Sequence, residues 1–181
     1  MRIQELLYFA PGLRLDQVDL DDDRLPGYLH QRLTGYYIEP AQICVAAGYA
    51  FAAGALLVSC IDALARYQYG GKVGIRFKRF CSTFLPSFSA PELAARFYAD
   101  FRNGLVHEAR LKRGGQFSLE AGVVAQEIHG LLIVNPSGLA EEVADSLGAY
   151  QVLLEADPAA TKRLRAVLKE DHKEDFAFAR P

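Results

Sequence analysis

The chain has 181 residues, of which 51% are hydrophobic and 23% charged, and its formal net charge is −2 at pH 7. This composition excludes an intrinsically disordered chain and predicts one packed domain over residues 1–181. Cys44, Cys60 and Cys81 are an odd number without CxxC spacing. The sequence therefore favours neither a disulfide framework nor a zinc site, and it fits a reducing cytoplasm.

Charge is distributed unevenly along the chain. Residues 1–65 carry 4 basic and 8 acidic side chains, residues 66–113 carry 10 and 3, and residues 114–181 carry 6 and 11. A basic middle between acidic flanks attracts a phosphate-bearing ligand. The same charges can equally form the solvated face of a helix, so charge alone leaves both interpretations open.

The first helical elements are indicated by leucine spacing and by proline and glycine positions. Leu25, Leu29 and Leu33 are four residues apart, which predicts a helix over 26–34. A proline in the first turn and a glycine pair at the end predict a long second helix, from Pro40 to about Tyr69.

This long helix raises the question of a membrane. Its residues 41–61 are uncharged and long enough to span a bilayer. They are rich in alanine and glycine, contain Gln42, Tyr49 and Ser59, and have no Lys or Arg on their upstream side. We therefore predict a buried central helix and no membrane segment.

Two further amphipathic helices follow. In residues 73–84 the spacing predicts an inward stripe of apolar side chains and turns the basic side chains outward; the stripe is Val73, Phe77, Phe80, Cys81 and Phe84, and the basic residues are Arg76, Lys78 and Arg79. The next helix is predicted from about Ala90 to Leu111, ending at Gly114-Gly115.

The periodicity then changes to that of strands. The segments QFSLE and EIHGLLIVN are separated by glycines and rich in β-branched and aromatic residues, so they predict a small β-hairpin. C-terminal helices follow, the first with a stripe at helical spacing and the last over about 158–172; the stripe is Leu139, Val143, Leu147, Tyr150 and Leu154. The fold class is mainly α, with residues 40–112 as the helical core and 116–181 as an extension.

The segment RNGLVH, residues 102–107, carries the candidate chemistry. Asn103 and His107 are four residues apart on the predicted helix, so Asn103 is placed to orient the imidazole. Arg102 and His107 are five apart and flank a groove. A glycine inside a helix costs about 1 kcal/mol relative to alanine, so Gly104 suggests the close approach of another backbone or a local bend. The plain alternative is the polar face of an ordinary helix.

This segment resembles the R-x4-6-H motif of the HEPN superfamily, whose members often have Asn, Asp or His directly after the arginine. The resemblance implies a homodimer that forms through the motif-bearing helix and cleaves RNA without metal or cofactor. It implies that His107 is the base, Arg102 the phosphate ligand and Asn103 the orienting residue, and that the product carries a cyclic 2′,3′-phosphate. It also implies a toxin–antitoxin or bacterial defence setting, with an antitoxin protein as possible partner, or a non-catalytic module that binds RNA or nucleotides or dimerises.

Other charged residues extend this hypothesis. Some members of the family add an acid from the preceding long helix, and Asp62 could hold Arg102 or His107 in place; alternatively it pairs with Arg66, four residues on. After the motif come three basic residues that would contact the RNA backbone or simply complement the helix dipole; they are Arg110, Lys112 and Arg113. Tyr98 and Phe101 could stack on bases, although aromatic residues at this spacing are more often core.

Overall fold

The computed structural model describes residues 2–3 and 6–179 of the chain. Its contacts group into two compact units, one of residues 1–36 and 147–181 and the other of residues 37–146. The mainly helical fold predicted from the sequence, with a small β-hairpin and C-terminal helices, is confirmed. The assignment of a single domain with a core at 40–112 stays a prediction.

Helices form most of the structure. The α-helices are α1 Leu25–Leu33, α2 Glu39–Ala46, α3 Ala50–Tyr69, α4 Val73–Phe84, α5 Pro91–Arg96, α6 Asn103–Glu108, α7 Pro136–Ala156, α8 Pro158–Asp171 and α9 Lys173–Ala179. The strands are β1 Arg2–Ile3, β2 Leu6–Ala10, β3 Leu13–Arg14, β4 Gln116–Phe117, β5 Ala125–Ile128 and β6 Leu131–Val134. Short 3-10 turns lie at Leu15–Gln17 and Pro86–Phe88, and π-helical turns at Thr34–Ile38 and Phe97–Arg102.

The unit that joins the two ends of the chain combines a small sheet with helices. Strand β2 pairs antiparallel with both β1 and β3, an element for which the sequence suggested no prediction. The leucine stripe of α1 is buried as predicted, and helix α8 begins at its predicted residue. The core side chains of this unit include Phe9, Leu25, Leu29, Leu33, Leu147, Tyr150, Leu154, Leu164 and Leu168.

The unit of residues 37–146 holds α2 to α6, strands β4 to β6 and the start of α7, and it contains the candidate site. Its core is rich in phenylalanine: the Phe97 ring stacks on Phe88 with centroids 4.2 Å apart and lies 5.3 Å from Phe101. Phe101 in turn meets Phe117 of β4 at 5.0 Å. These ring contacts fix the segment that carries the RNGLVH motif against the rest of the unit.

The prediction of one long helix from Pro40 to Tyr69 is wrong, because the helix is interrupted between α2 and α3. Ala47 ends α2 and Gly48 adopts φ +81°, a conformation that glycine reaches without steric cost. Helix α3 then begins at Ala50 and ends at the predicted glycine pair. The uncharged stretch 41–61 is therefore divided between two helices.

In the part of the chain that the structure describes, α3 is the one helix long and apolar enough to cross a membrane by length and composition. Half of its most apolar window is buried inside the protein, and it carries Asp62 and Arg66. This is compatible with the core helix of a soluble protein, but the first part of the stretch is not buried as predicted, because Ile43, Tyr49 and Phe51 are exposed.

The predicted helix over residues 90–111 is also irregular. It consists of α5, a π-helical turn at Phe97–Arg102 and α6, and it ends at Glu108 rather than Leu111. Ala109 follows in the left-handed conformation, with φ 52°. The residues after Ala109 therefore do not continue the helix.

The predicted hairpin is present and gains a third strand. Strands β5 and β6 pair antiparallel across a turn at His129 and Gly130. QFSLE supplies β4, which pairs parallel with β6 instead of forming the hairpin itself. The apolar stripe predicted for α7 is buried along its whole length.

Candidate active site

The centre of the site is an ion pair between α3 and the π-helical turn. Nη2 of Arg102 donates a hydrogen bond to Oδ2 of Asp62 at 2.8 Å. Arg76 of α4 approaches the same carboxylate, with Nη2 3.9 Å from Oδ1, and its Nη1 donates to the carbonyl oxygen of Gly71 at 3.1 Å. One carboxylate thus lies between two guanidinium groups from different helices.

This arrangement is largely shielded from solvent. The side chains of Arg76, Arg102 and Asp62 are 9%, 12% and 22% exposed. Nε of both arginines and Oδ1 of Asp62 are buried without a hydrogen-bond partner in the described structure. Buried donors of this kind cost free energy unless an acceptor reaches them.

A cavity of about 230 Å³ opens beside these groups, and we call it the arginine pocket. Its wall combines charged side chains with a hydroxyl and apolar residues; Ser59, Asp62, Arg66, Arg76, Arg102 and Leu105 are among the lining residues. Three arginines and one carboxylate give the pocket an excess of positive charge. Such a surface is suited to an anion with several acceptor oxygens.

The π-helical turn determines where Arg102 lies. The N–H of Asn103 donates to the carbonyl oxygen of Tyr98, five residues back, as a π-turn requires. Arg102 is the last residue of this turn and faces Asp62, and α6 begins at the next residue. Such turns are often found at functional sites.

Gly104 permits the close approach of backbone that its position in the sequence suggested. A Cβ there would collide with the carbonyl oxygen of Arg110. The N–H of Arg110 donates back to the carbonyl oxygen of Gly104 at 3.4 Å. The chain after α6 therefore folds back onto the motif, with Gly104 as the contact point.

His107 and Asn103 both lie on α6, whereas Arg102 precedes this helix and lines the arginine pocket. His107 is exposed near the end of the helix, and neither residue lines the arginine pocket. Among the described contacts no hydrogen bond joins Asn103 to His107. The orienting role of Asn103 and the base role of His107 stay predictions.

The three basic residues after the motif make ion pairs within the chain. Arg110 and Lys112 contact Glu108 at 2.6 and 2.5 Å, and these contacts, the one with Lys112 foremost, lower the pKa of the Glu108 carboxyl. Nε of Arg113 lies 3.4 Å from Oδ1 of Asp100. A polyanion would have to exchange these partners for its phosphates.

The side chain of Asp100 contacts residues 109–113, the returning segment that follows α6. Its side chain is fully buried, with Nε of Arg96 at 3.5 Å on one side and Arg113 on the other. Its carbonyl oxygen accepts a hydrogen bond from the N–H of Lys112 at 2.8 Å. Nη1 of Arg96 also lies 2.7 Å from Oε2 of Glu127 in β5. A series of ion pairs therefore links residues 109–113 to strand β5.

The aromatic residues near the motif are structural. Phe101 is fully buried among phenylalanines, and Tyr98 packs on Phe77 with centroids 5.6 Å apart and covers Gly74. Stacking of RNA bases on Phe101 would require this core to open. The sequence-based alternative, that these rings belong to the core, holds for Phe101, whereas Tyr98 is half-buried.

Arg76 is the pocket residue that the sequence did not place at the site, whereas Arg66 was considered there as a partner of Asp62. The helical spacing placed Arg76 on the outer side of α4 with Lys78 and Arg79, but it is 8% exposed and faces Asp62. Lys78 and Arg79 are exposed as predicted. One signal was available: Asp62 is the one acid between residues 41 and 91, so the arginines of the neighbouring basic segment were its candidate counter-ions.

The three cysteines carry free thiols. Cys60 and Cys81 are buried thiols and Cys44 is partly exposed. Within residues 2–3 and 6–179, no three His, Cys, Asp or Glu side chains converge as a metal site would need.

Comparisons of the chain with protein-family models, with curated proteins and with solved structures found no match.

Proposed function

We propose that this protein is a metal-independent endoribonuclease of the HEPN type, acting as a homodimer. The observation that carries the proposal is the position of Arg102: the arginine of the RNGLVH motif lines a positively charged pocket with Arg66 and Arg76. His107 follows five residues later and is exposed to solvent. A phosphate group bound by the arginines and an accessible imidazole are the two components that RNA cleavage requires.

The proposed reaction uses the 2′-hydroxyl of the RNA as nucleophile. His107 takes the proton of this hydroxyl, the 2′-oxygen forms a bond to phosphorus, and the bond from phosphorus to the 5′-oxygen breaks. The leaving oxygen receives a proton from an imidazolium, which in a homodimer the second His107 supplies. The products are a cyclic 2′,3′-phosphate and a 5′-hydroxyl, so protons and electrons balance without a metal.

The other residues take supporting roles in this proposal. Arg102 stabilises the charge that develops on the phosphate oxygens, and Asp62 holds Arg102 in position through the 2.8 Å hydrogen bond. Asn103 orients His107. The basic residues after the motif exchange their internal partners for the RNA backbone, which makes binding sensitive to salt; they are Arg110, Lys112 and Arg113.

The biological setting follows from the family resemblance alone. It points to a cytoplasmic toxin or defence ribonuclease, with an antitoxin protein as the expected partner. The dimer would form through the motif-bearing helix, so that the two copies of RNGLVH face each other.

A second candidate function is a HEPN-like module that binds RNA or nucleotides, or dimerises, without cleaving. The observation that favours it is that His107 has no hydrogen bond in the described structure that would fix its tautomer, while Arg66, Arg76 and Arg102 line one pocket. Such a site supplies charge for binding an anion without a positioned acid–base group.

Cleavage of RNA in EDTA separates the two candidates. The purified protein is incubated with mixed RNAs, and product ends are analysed for cyclic phosphate. The proposal expects cleavage that His107→Ala abolishes and His129→Asn retains. His129 is a matched control because it is also exposed, and asparagine tolerates its φ of 51°. Intact RNA with every substrate, together with salt-sensitive RNA binding, would replace the enzyme by the binding module.

A further inference from the structure

We infer that the outer face of helix α4 binds the backbone of the RNA strand whose scissile phosphate lies at the arginine pocket. This face carries Lys72, directly before the first residue of α4, and the neighbouring residues Lys78 and Arg79; all three are exposed. The inference rests on the proposed function for the identity of the strand, and it adds the surface along which that strand runs.

The first observation is that no acidic side chain neutralises these cations. Between Ala63 and Pro91 the sequence contains no Asp or Glu. Among the contacts of the described residues, neither Lys72 nor Lys78 makes an ion pair, and Arg79 lies over the ring of Tyr69, with its Cζ 4.3 Å from the centroid. An anionic strand therefore meets these charges without displacing a carboxylate of the protein.

The segment after the motif differs in this respect. Arg110 and Lys112 contact Glu108, and Arg113 contacts Asp100. Each phosphate contact in that segment replaces an ion pair that already exists, whereas a contact with α4 is gained outright. The α4 face should therefore make the larger contribution to affinity and to its salt dependence.

The second observation is the position of this face beside the arginine pocket. Arg76, which lines the pocket, is four residues after Lys72 and three before Arg79. Residues at these spacings are neighbours on a helix surface. Arg76 turns inward to Asp62, and the other two stay exposed over about 10 Å of helix length. Positive charge thus continues from the pocket along the outside of α4.

The third observation is that the face also offers planar and apolar groups. The guanidinium plane of Arg79 is held over Tyr69, and arginine planes of this kind are surfaces on which bases stack. Ile75, between Lys72 and Arg79 in the chain, is 64% exposed. Cations interleaved with stacking groups suit a single nucleic-acid strand, which carries both phosphates and bases, better than an acidic protein surface.

The test measures binding of the full-length His107→Ala protein, which lacks the proposed base, to a labelled single-stranded RNA in EDTA. An RNA of mixed sequence suffices, because contacts with the backbone do not depend on the bases. Fluorescence anisotropy at several salt concentrations gives the slope of log K against log salt concentration. Each phosphate contact with a single strand contributes about −0.7 to this slope.

Two matched double variants, both made in the His107→Ala protein, separate this face from general charge. Lys78→Gln with Arg79→Gln removes an exposed Lys-Arg dipeptide from α4, and Lys162→Gln with Arg163→Gln removes the same dipeptide, also exposed, from α8. The α4 variant should make the slope shallower by about 1.4 and weaken binding in 0.1 M salt about 25-fold. The α8 variant should leave both nearly unchanged.

Thermal unfolding checks that each variant folds. If loss of the contact between Arg79 and Tyr69 destabilises the α4 variant, Lys72→Gln combined with Lys78→Gln replaces it, with the same expected loss of affinity. This second pair makes no ion pair within the described residues, so its removal should leave the fold intact.

Equal effects of the α4 and α8 variants, or no RNA binding by the His107→Ala protein, overturn the inference. Salt-sensitive binding of polyglutamate in place of RNA also overturns it and assigns the face to an acidic protein. Cleavage by the wild type that the α4 substitutions do not weaken contradicts this inference alone. RNA binding that depends on α4, without cleavage by the wild type, contradicts only the proposed enzyme.

Discussion

Asp62 accepts a hydrogen bond from Arg102 at 2.8 Å across 40 residues of sequence. This contact joins α3 to the π-helical turn and places the motif arginine at the arginine pocket. Because Arg76 approaches the same carboxylate, one acid organises two basic side chains. The pair is therefore both a stabilising contact and the device that positions the candidate phosphate ligand.

Removal of this carboxylate should have opposite effects on stability and on anion binding. Asp62→Ala leaves Arg76 and Arg102 close together without their counter-charge, so we expect the free energy of unfolding to fall by about 1–3 kcal/mol. The affinity for phosphate should rise, because the pocket loses a negative charge. Urea unfolding and phosphate titration measure the two effects. Asp145→Ala, at an exposed position of α7, is the control, and equal losses of stability in both variants would contradict the assignment.

Gly104 and Gly148 should respond in opposite directions to the same substitution. Gly104→Ala forces the carbonyl oxygen of Arg110 away from α6, at a cost of about 1–3 kcal/mol, despite the higher helix propensity of alanine. Gly148→Ala meets no atom within 4 Å and should stabilise by about 0.5–1 kcal/mol. Thermal unfolding of both variants is the measurement. A stabilised Gly104→Ala protein would show that the returning segment does not press on the helix.

Asp100 should control how firmly the segment after α6 is held. Asp100→Asn removes the buried charge that Arg96 and Arg113 share, so residues 109–113 should open more often. Trypsin, which cleaves after Lys and Arg, should then cut at these residues several-fold faster than in the wild type. Glu120→Gln, at an exposed position, should leave the rate unchanged. Unaltered proteolysis of Asp100→Asn would mean that backbone contacts alone hold the segment.

The three cysteines should differ in reactivity. Cys44 is partly exposed, whereas Cys60 and Cys81 are buried. Burial raises the pKa of the Cys60 thiol to about 12 and that of Cys81 well above its ordinary value, and the thiolate is the reactive form. Iodoacetamide at pH 8 should therefore modify Cys44 alone in the native protein and all three in urea. Mass spectrometry of tryptic peptides reads the result, and native labelling of Cys81 would contradict the buried position.

The same thiols predict a decline of stability at alkaline pH. Unfolded cysteine ionises near its ordinary pKa of 9.0, but folded Cys60 stays protonated up to about 12. A raised folded pKa means that this contribution to stability is complete below pH 9 and is lost as the pH rises from 9 towards 12. The free energy of unfolding should fall between pH 8 and pH 10, and less steeply in Cys60→Ala. If the free energy of unfolding fell equally with pH in the wild type and in Cys60→Ala, Cys60 would not be a cause of the decline.

The spacing of residues was sufficient to predict the elements whose conformation depends on near neighbours. Helices α1, α4 and α8 and the buried stripe of α7 follow from apolar residues at helical spacing and from terminal glycines and prolines. These signals act within a few residues, so they can be read without knowing what lies across the core. The glycine of the motif also indicated a close backbone contact, and Gly104 makes it.

Only the tertiary structure decided how the site is assembled. Helical spacing turned Arg76 outward, yet the carboxylate of Asp62 on another helix draws it inward. The π-turn at Phe97–Arg102 and the parallel pairing of β4 with β6 likewise depend on packing partners that are distant in sequence. A charge is buried only where its counter-charge lies, and periodicity along one helix carries no information about the opposite wall. For this reason the sequence indicated the motif, while the arginine pocket emerged only when three helices came together.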